Sequence, residues 1–209
     1  MRKAQEITVP FAQRERRFPL TTAIEKNTAY DAIYPWLRGM TDDAIHGHVN
    51  RWASQIGVDP KAACHELVMD WDEVRAASHD PLITIGAHSM SHAALAKCSA
   101  EEARWQIEAS IEHIEHELGK SCQHFAYPYG DAGSAGPREF EIARKLGLKT
   151  AVTTRKGLIS ADVRDQLTSL PRLSLNGDFQ DERDLQVLLS GAPFKMLDLA
   201  KSVMPRRAA

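Results

Sequence analysis

Apolar positions along the chain fall into two regimes that change at Asp80-Pro81. Between residues 21 and 77 they recur near the helical period. Ile24, Thr28, Ile33, Trp36 and Leu37 form one stripe, and Ile45, Val49, Trp52 and Ile56 form a second. Asp70 and Glu73 have capping-box spacing and predict a short helix running through Val74. Residues 1–20 are polar, carry Pro10 and Pro19, and predict an irregular lead-in with one short strand at most, near residues 7–9. Past Asp80 the pattern alternates between short β-branched runs and helical stretches. Residues 82–85 predict a strand that Gly86 ends. Ser99 and Glu102 then open a long helix with Ala103, Ile107, Ile111, Ile114 and Leu118 on one face, stopped by Gly119. Residues 123–127 predict the next strand, Pro137 the first turn of a helix to Leu146, and residues 149–154 a third strand. A further strand is expected within 167–175, with helical stretches near 181–189 and 194–203.

Strand, helix, strand, helix, strand is the signature of parallel βαβ units, whose strands end along one edge. The expected organisation is therefore a lead-in over 1–20 and one domain over 21–209. Within that domain a helical region (21–78) precedes βα units (80–209).

Composition narrows the function classes. The 28 acidic and 26 basic side chains leave a net charge of −2, so no surplus of Lys and Arg points to nucleic acid. No run of about eighteen apolar residues predicts a membrane span, and no apolar stretch after Met1 predicts a signal peptide. Cys64, Cys98 and Cys122 are odd in number and widely spaced, which fits a reduced, cytoplasmic chain better than a disulfide scaffold.

Two segments carry candidate chemistry, because each follows a predicted strand where α/β proteins collect their sites. In Gly86-Ala-His88-Ser-Met-Ser-His92, two imidazoles four residues apart can converge on one cation if the chain turns between them. A bare pair at this spacing reads as surface or capping histidines. The preceding strand and the Ser-Met-Ser filling favour the metal reading. In Phe125-Ala-Tyr127-Pro128-Tyr129-Gly130-Asp131, stiff aromatics precede glycines that let backbone N–H groups approach an oxyanion. Taken alone, that segment reads as a turn whose tyrosines pack. Glu112-His113 and Glu115-His116-Glu117 flank the buried stripe of their helix and read as a solvated face, and His46-Gly-His48 lacks a third partner.

Together the two segments resemble the polysaccharide deacetylase (NodB-homology) family. His88-Ser89-Met90-Ser91-His92 is similar to its H-[ST]-x-x-H motif, and Phe125-Ala-Tyr-Pro-Tyr-Gly130 to its following motif. The resemblance implies a partial or distorted (β/α) barrel preceded by a helical segment. It implies a divalent metal, zinc with cobalt or manganese as alternatives, on His88 and His92. Tyr129 would be catalytic through its backbone amide, and Tyr127, Pro128 and Arg172 would contact substrate. The implied reaction is metal-assisted hydrolysis of N-acetyl groups on a polysaccharide or oligosaccharide.

The chain departs from the family in several places. The T-F-D-D motif, implied source of the base and third ligand, does not occur. Asp42-Asp43 after Thr41 reads as a helix start instead. Ala126 stands where an arginine is usual, and no late Leu-x-His follows His124, the last histidine. Asp131, beside the tyrosines, is the one in-chain carboxylate that offers itself as a replacement base. Two expectations follow: a truncated deacetylase domain, or an inactive homologue that binds glycan or a partner protein. An incomplete barrel would also promote self-association.

Overall fold

The computed structural model describes residues 4–11, 14–159, 166–175 and 181–203. By its internal contacts the chain divides into two compact units, Met1–Val74 and Arg75–Ala209.

The first unit opens with an antiparallel hairpin of β1 (Glu6–Phe11) and β2 (Arg14–Pro19), in place of the irregular lead-in expected from the sequence. Register explains why it was hard to see. Ile7 lies opposite Phe18, Val9 opposite Arg16 and Phe11 opposite Arg14, so arginines occupy positions where an apolar residue would mark the inner face. The Arg16 guanidinium lies 4.7 Å from the Phe18 ring centre and 5.8 Å from that of Phe11, covering them while its charge stays near water. Three helices follow: α1 (Ala23–Arg38), α2 (Asp42–Gln55) and α3 (Pro60–Leu67). Thr22 and Glu25 cap α1 reciprocally, and Val9, Phe18, Ala29 and Trp52 form the core between hairpin and helices. Asp42 and Asp43 occupy the first turn of α2 after Thr41, as the sequence predicts. α4 (Trp71–Ala77) begins with the expected capping box, Asp70 and Glu73 each accepting the other's backbone N–H at 2.9 Å.

The second unit is built on a parallel sheet of β3 (His124–Ala126), β4 (Thr150–Lys156) and β5 (Leu170–Arg172), in that order. α5 (Ala100–Leu118) precedes β3, and α6 (Pro137–Lys145) connects β3 to β4. Residues 82–85 do not form the expected strand. Asp80-Pro81 makes a turn, with Ile83 N–H on Asp80 O and Leu82 N–H on the Asp80 carboxylate, and Leu82 is left 92% exposed. The chain joins the sheet only at Ala87, which bridges to Phe125 in parallel. Gly86 permits that approach, since a Cβ there would stand 3.0 Å from His124 O.

Alternation along these strands sorts the two faces. Ala87, Phe125, Tyr127 and Ala151 pack with Ala103 and Ile107 of α5 and Ala143 of α6 in one core. Thr84, His88, His124, Ala126, Thr150 and Val152 line the other face, an open trough of about 440 Å³. A parallel sheet with helices on one side and an open trough on the other is a partial barrel, as the family resemblance implies. α7 (Glu182–Leu189) and α8 (Ala192–Val203) follow, where helical stretches were expected. The terminal Arg206-Arg207 pair lies outside the described residues. No described helix is long and apolar enough to cross a membrane.

Candidate active site

The site forms where the chain leaves the sheet at Ala87 and again at Ala126. Backbone hydrogen bonds from Ala87 N to His124 O (2.8 Å) and from Ala126 N to Ala87 O (2.9 Å) put the two exits side by side. His88 is the first residue past the bridge. Its Nδ1 lies 2.6 Å from Ala126 O. A carbonyl only accepts, so Nδ1 carries the proton and donates, and Nε2 keeps its lone pair. Fixing one ring nitrogen in this way is how proteins orient an imidazole toward a cation.

His92 is brought back against His88 by a turn through two unusual backbones. Ser89 (φ +62°) and His92 (φ +59°) both adopt the left-handed conformation, and Tyr129 (φ +60°) does so across the site. Among the described residues these are the non-glycine positions with positive φ. Each costs roughly 1 kcal/mol or more, so their concentration here marks a site that the surrounding structure must hold. The result places the His88 and His92 ring centres 4.9 Å apart at 78°, and the Tyr129 ring edge-on to His92 at 4.7 Å. The expected pair of imidazoles is therefore adjacent, beside the expected tyrosine.

Other predicted site residues fall differently. Tyr127 is 2% exposed and donates its hydroxyl to Thr168 O at 2.8 Å, with its ring against Phe125 and Phe140. Burial, with the nearby Glu139 carboxylate second, pushes its phenol well above the usual tyrosine range. Pro128 is buried as well. The expectation that these two side chains touch substrate is thus corrected: alternation turns the Tyr127 ring toward the helices, where it packs in the core against Phe125 and Phe140. Arg172 is exposed on β5, two strand positions from β3 and so about 10 Å across the sheet. Asp131 Oδ1 accepts from Gly133 N and Ser134 Oγ, both at 2.9 Å, and braces the loop that leads to α6.

Several residues that hold the site had no sequence signal. Gln106 of α5 reaches into the turn between the histidines. Thr154 fixes the Tyr129 turn, its hydroxyl donating to Tyr129 O at 2.5 Å and its N–H to Gly130 O at 3.1 Å. Arg138 ties the start of α6 to Leu95 O and Cys98 O, each at 2.9 Å. Each is a polar side chain on a helix or strand whose partner lies far along the chain, and sequence spacing does not reveal such pairs.

The donor chemistry fits a divalent cation in part. Two neighbouring imidazoles, one with its tautomer fixed, suit zinc and similar ions. The Ser89 hydroxyl between them is buried without a hydrogen-bond partner in the described structure, as a group completed by a bound atom would be. No cluster of three His, Cys, Asp or Glu able to hold a metal occurs among the described residues, whereas a catalytic zinc ordinarily has three protein ligands.

The chain matches the sequence profile of the polysaccharide deacetylase family over residues 20–151. Among solved structures it is similar to the Streptococcus pyogenes deacetylase PplD in complex with acetate, at 22% identity and a TM-score of 0.52, over 57% of this chain and 50% of that one. It is similar also to a polysaccharide deacetylase from Bacillus cereus, at 21% identity and a TM-score of 0.50, over 57% of this chain and 36% of that one. The likeness establishes a shared fold, and the chain spans half or less of the length of these structures. No curated protein matches it.

Proposed function

The chain belongs to the polysaccharide deacetylase family, and from that membership we propose that it hydrolyses N-acetyl groups on a polysaccharide or oligosaccharide, with a divalent metal on His88 and His92. The observation that carries this reading is the adjacency of the two rings, 4.9 Å apart, with His88 Nδ1 committed to Ala126 O. Held there, zinc, cobalt or manganese would supply Lewis acidity toward an acetyl carbonyl and a lowered pKa for its water.

The protein's own residues do the positioning. His88 offers Nε2 because its other nitrogen is engaged, and His92 is held in place by the left-handed turn before it. Tyr129 covers one edge of His92, and Thr154 fixes its carbonyl. That turn sets the direction of the Tyr129 amide, which the family motif implies as donor to the developing oxyanion. Arg172, exposed on β5, would contact the sugar in this reading. Hydrolysis adds water to the acetyl carbon and breaks the C–N bond, leaving acetate and a sugar amine. A base must take the water's proton and an acid must protonate the leaving nitrogen. Asp131 serves the loop in this account, and Asp42 and Asp43 serve the first turn of α2.

A second reading is favoured by the two-residue ligand set and by Ala126 in place of the family's arginine: a homologue that binds glycan or a protein partner without turnover. One assay separates the two. Incubated with N-acetylglucosamine oligomers and zinc or cobalt, the chain should release acetate, and His88→Ala should lower the rate about 100-fold or more. Oligomer binding with no acetate released under either metal would establish the second reading instead.

A further inference from the structure

Gln106 lies on the second turn of α5 and is 5% exposed, in a position where an apolar residue would ordinarily complete the core. Its side-chain amide makes four hydrogen bonds. Oε1 accepts from the backbone N–H of Met90 (3.0 Å) and of Ser91 (3.1 Å). Nε2 donates to Ser91 Oγ (2.9 Å) and to Glu102 Oε1 (3.2 Å). Two N–H donors meeting one atom fix which end of the amide is oxygen, and every donor and acceptor of the group is then used.

Met90 and Ser91 are the two residues between Ser89 and His92, the left-handed positions that fold the second imidazole back onto the first. Two residues of this short loop hold strained backbones, so its form depends on bonds from the structure around it. α5 supplies such bonds through Gln106, which the fully buried Ala103 and Ile107 seat in the core.

We infer that Gln106 is a positioning residue: it anchors the 89–92 turn to α5 and so holds His88 and His92 in the geometry that binds one ion. The inference rests on the metal reading above for its consequence, while the anchoring is testable without metal. Gln106→Met preserves volume and removes all four bonds. Gln106→Glu preserves an acceptor for the two N–H groups but loses the donors and sets a carboxylate beside Glu102.

The experiment combines hydrogen exchange of the metal-free protein with competition for zinc against a chromophoric chelator. In Gln106→Met, exchange at the Met90 and Ser91 amides should quicken about tenfold or more while the amides of α5 keep their protection. Zinc affinity should fall about 10- to 100-fold, the range seen when outer partners of a metal ligand are removed. Gln106→Glu should recover most of the amide protection. Unchanged exchange at Met90 and Ser91 in Gln106→Met overturns the inference, as does unchanged zinc affinity once that protection is lost. If the unmodified chain takes up no zinc, the metal reading fails on its own. Exchange at the two amides then decides the anchoring: quickening supports it and retained protection overturns it.

Discussion

Tyr127 and Tyr129 stand two residues apart and take opposite parts because the strand ends between them. Tyr127 continues the alternation of β3 and turns inward, whereas Tyr129 leaves it on a left-handed backbone and meets His92. Gly130 completes the exit. Its φ is +63°, and a Cβ there would stand 2.5 Å from Thr154 N, so only glycine fits against β4. The aromatic motif stood out in the sequence only through the family resemblance, and the division of labour within it did not, since residues 127 and 129 would share one face of a continued strand and the left-handed exit at Tyr129 is what separates them. The raised phenol of Tyr127 gives a pH dependence with a definite sign. The folded state holds this proton above the ordinary tyrosine value near 10, so the unfolded chain gives it up first as the solution becomes alkaline. Stability from this group is complete below pH 10 and is lost as pH rises beyond it. Urea unfolding should show Tyr127→Phe about 1–2 kcal/mol less stable at pH 7, with Thr168 O left unpaired, and with a flatter loss of stability above pH 10. An unchanged alkaline slope would remove Tyr127 as its source.

Among the elements, α5 was the most legible and the hairpin the least. Every local signal on α5 agrees: Ser99 Oγ accepts from Glu102 N at 3.1 Å, Ile107 and Ala103 are buried, and Gly119 ends the helix at φ +61°. The hairpin hides because its second strand, Arg14–Pro19, buries Phe18 alone and covers it with Arg16. Residues 82–85 fail in the other direction. They carry strand-forming residues, yet the turn at Asp80-Pro81 and the absence of a ladder before Ala87 leave them irregular. Because α5 carries Gln106, its stability bears on the site. Ser99→Ala should cost about 1 kcal/mol by thermal or urea unfolding, with the histidine turn loosened along with the first turns of the helix. A cost near zero would mean that core packing alone sets the start of α5.

At the scale of the whole molecule, the second unit keeps the logic of a βα barrel over three paired strands and the Ala87 bridge, with its helices on one face. The parallel βα units followed from the rhythm of the sequence, while the partial barrel was what the family resemblance implied, and that resemblance rested on two motifs, each after an expected strand. What the rhythm did not supply is the support for the site, which comes from α5, β4 and α6 through hydrogen bonds between residues distant in sequence, such as Arg138 to Leu95. Whether His88 and His92 share one divalent ion is read out by cobalt titration of the metal-free protein, through the visible absorption of the bound ion. Absorption should saturate at one cobalt per chain, with the signal abolished in His88→Ala and equally in His92→Ala. A spectrum that survives either substitution, or a chain that takes up no cobalt, would contradict a shared ion.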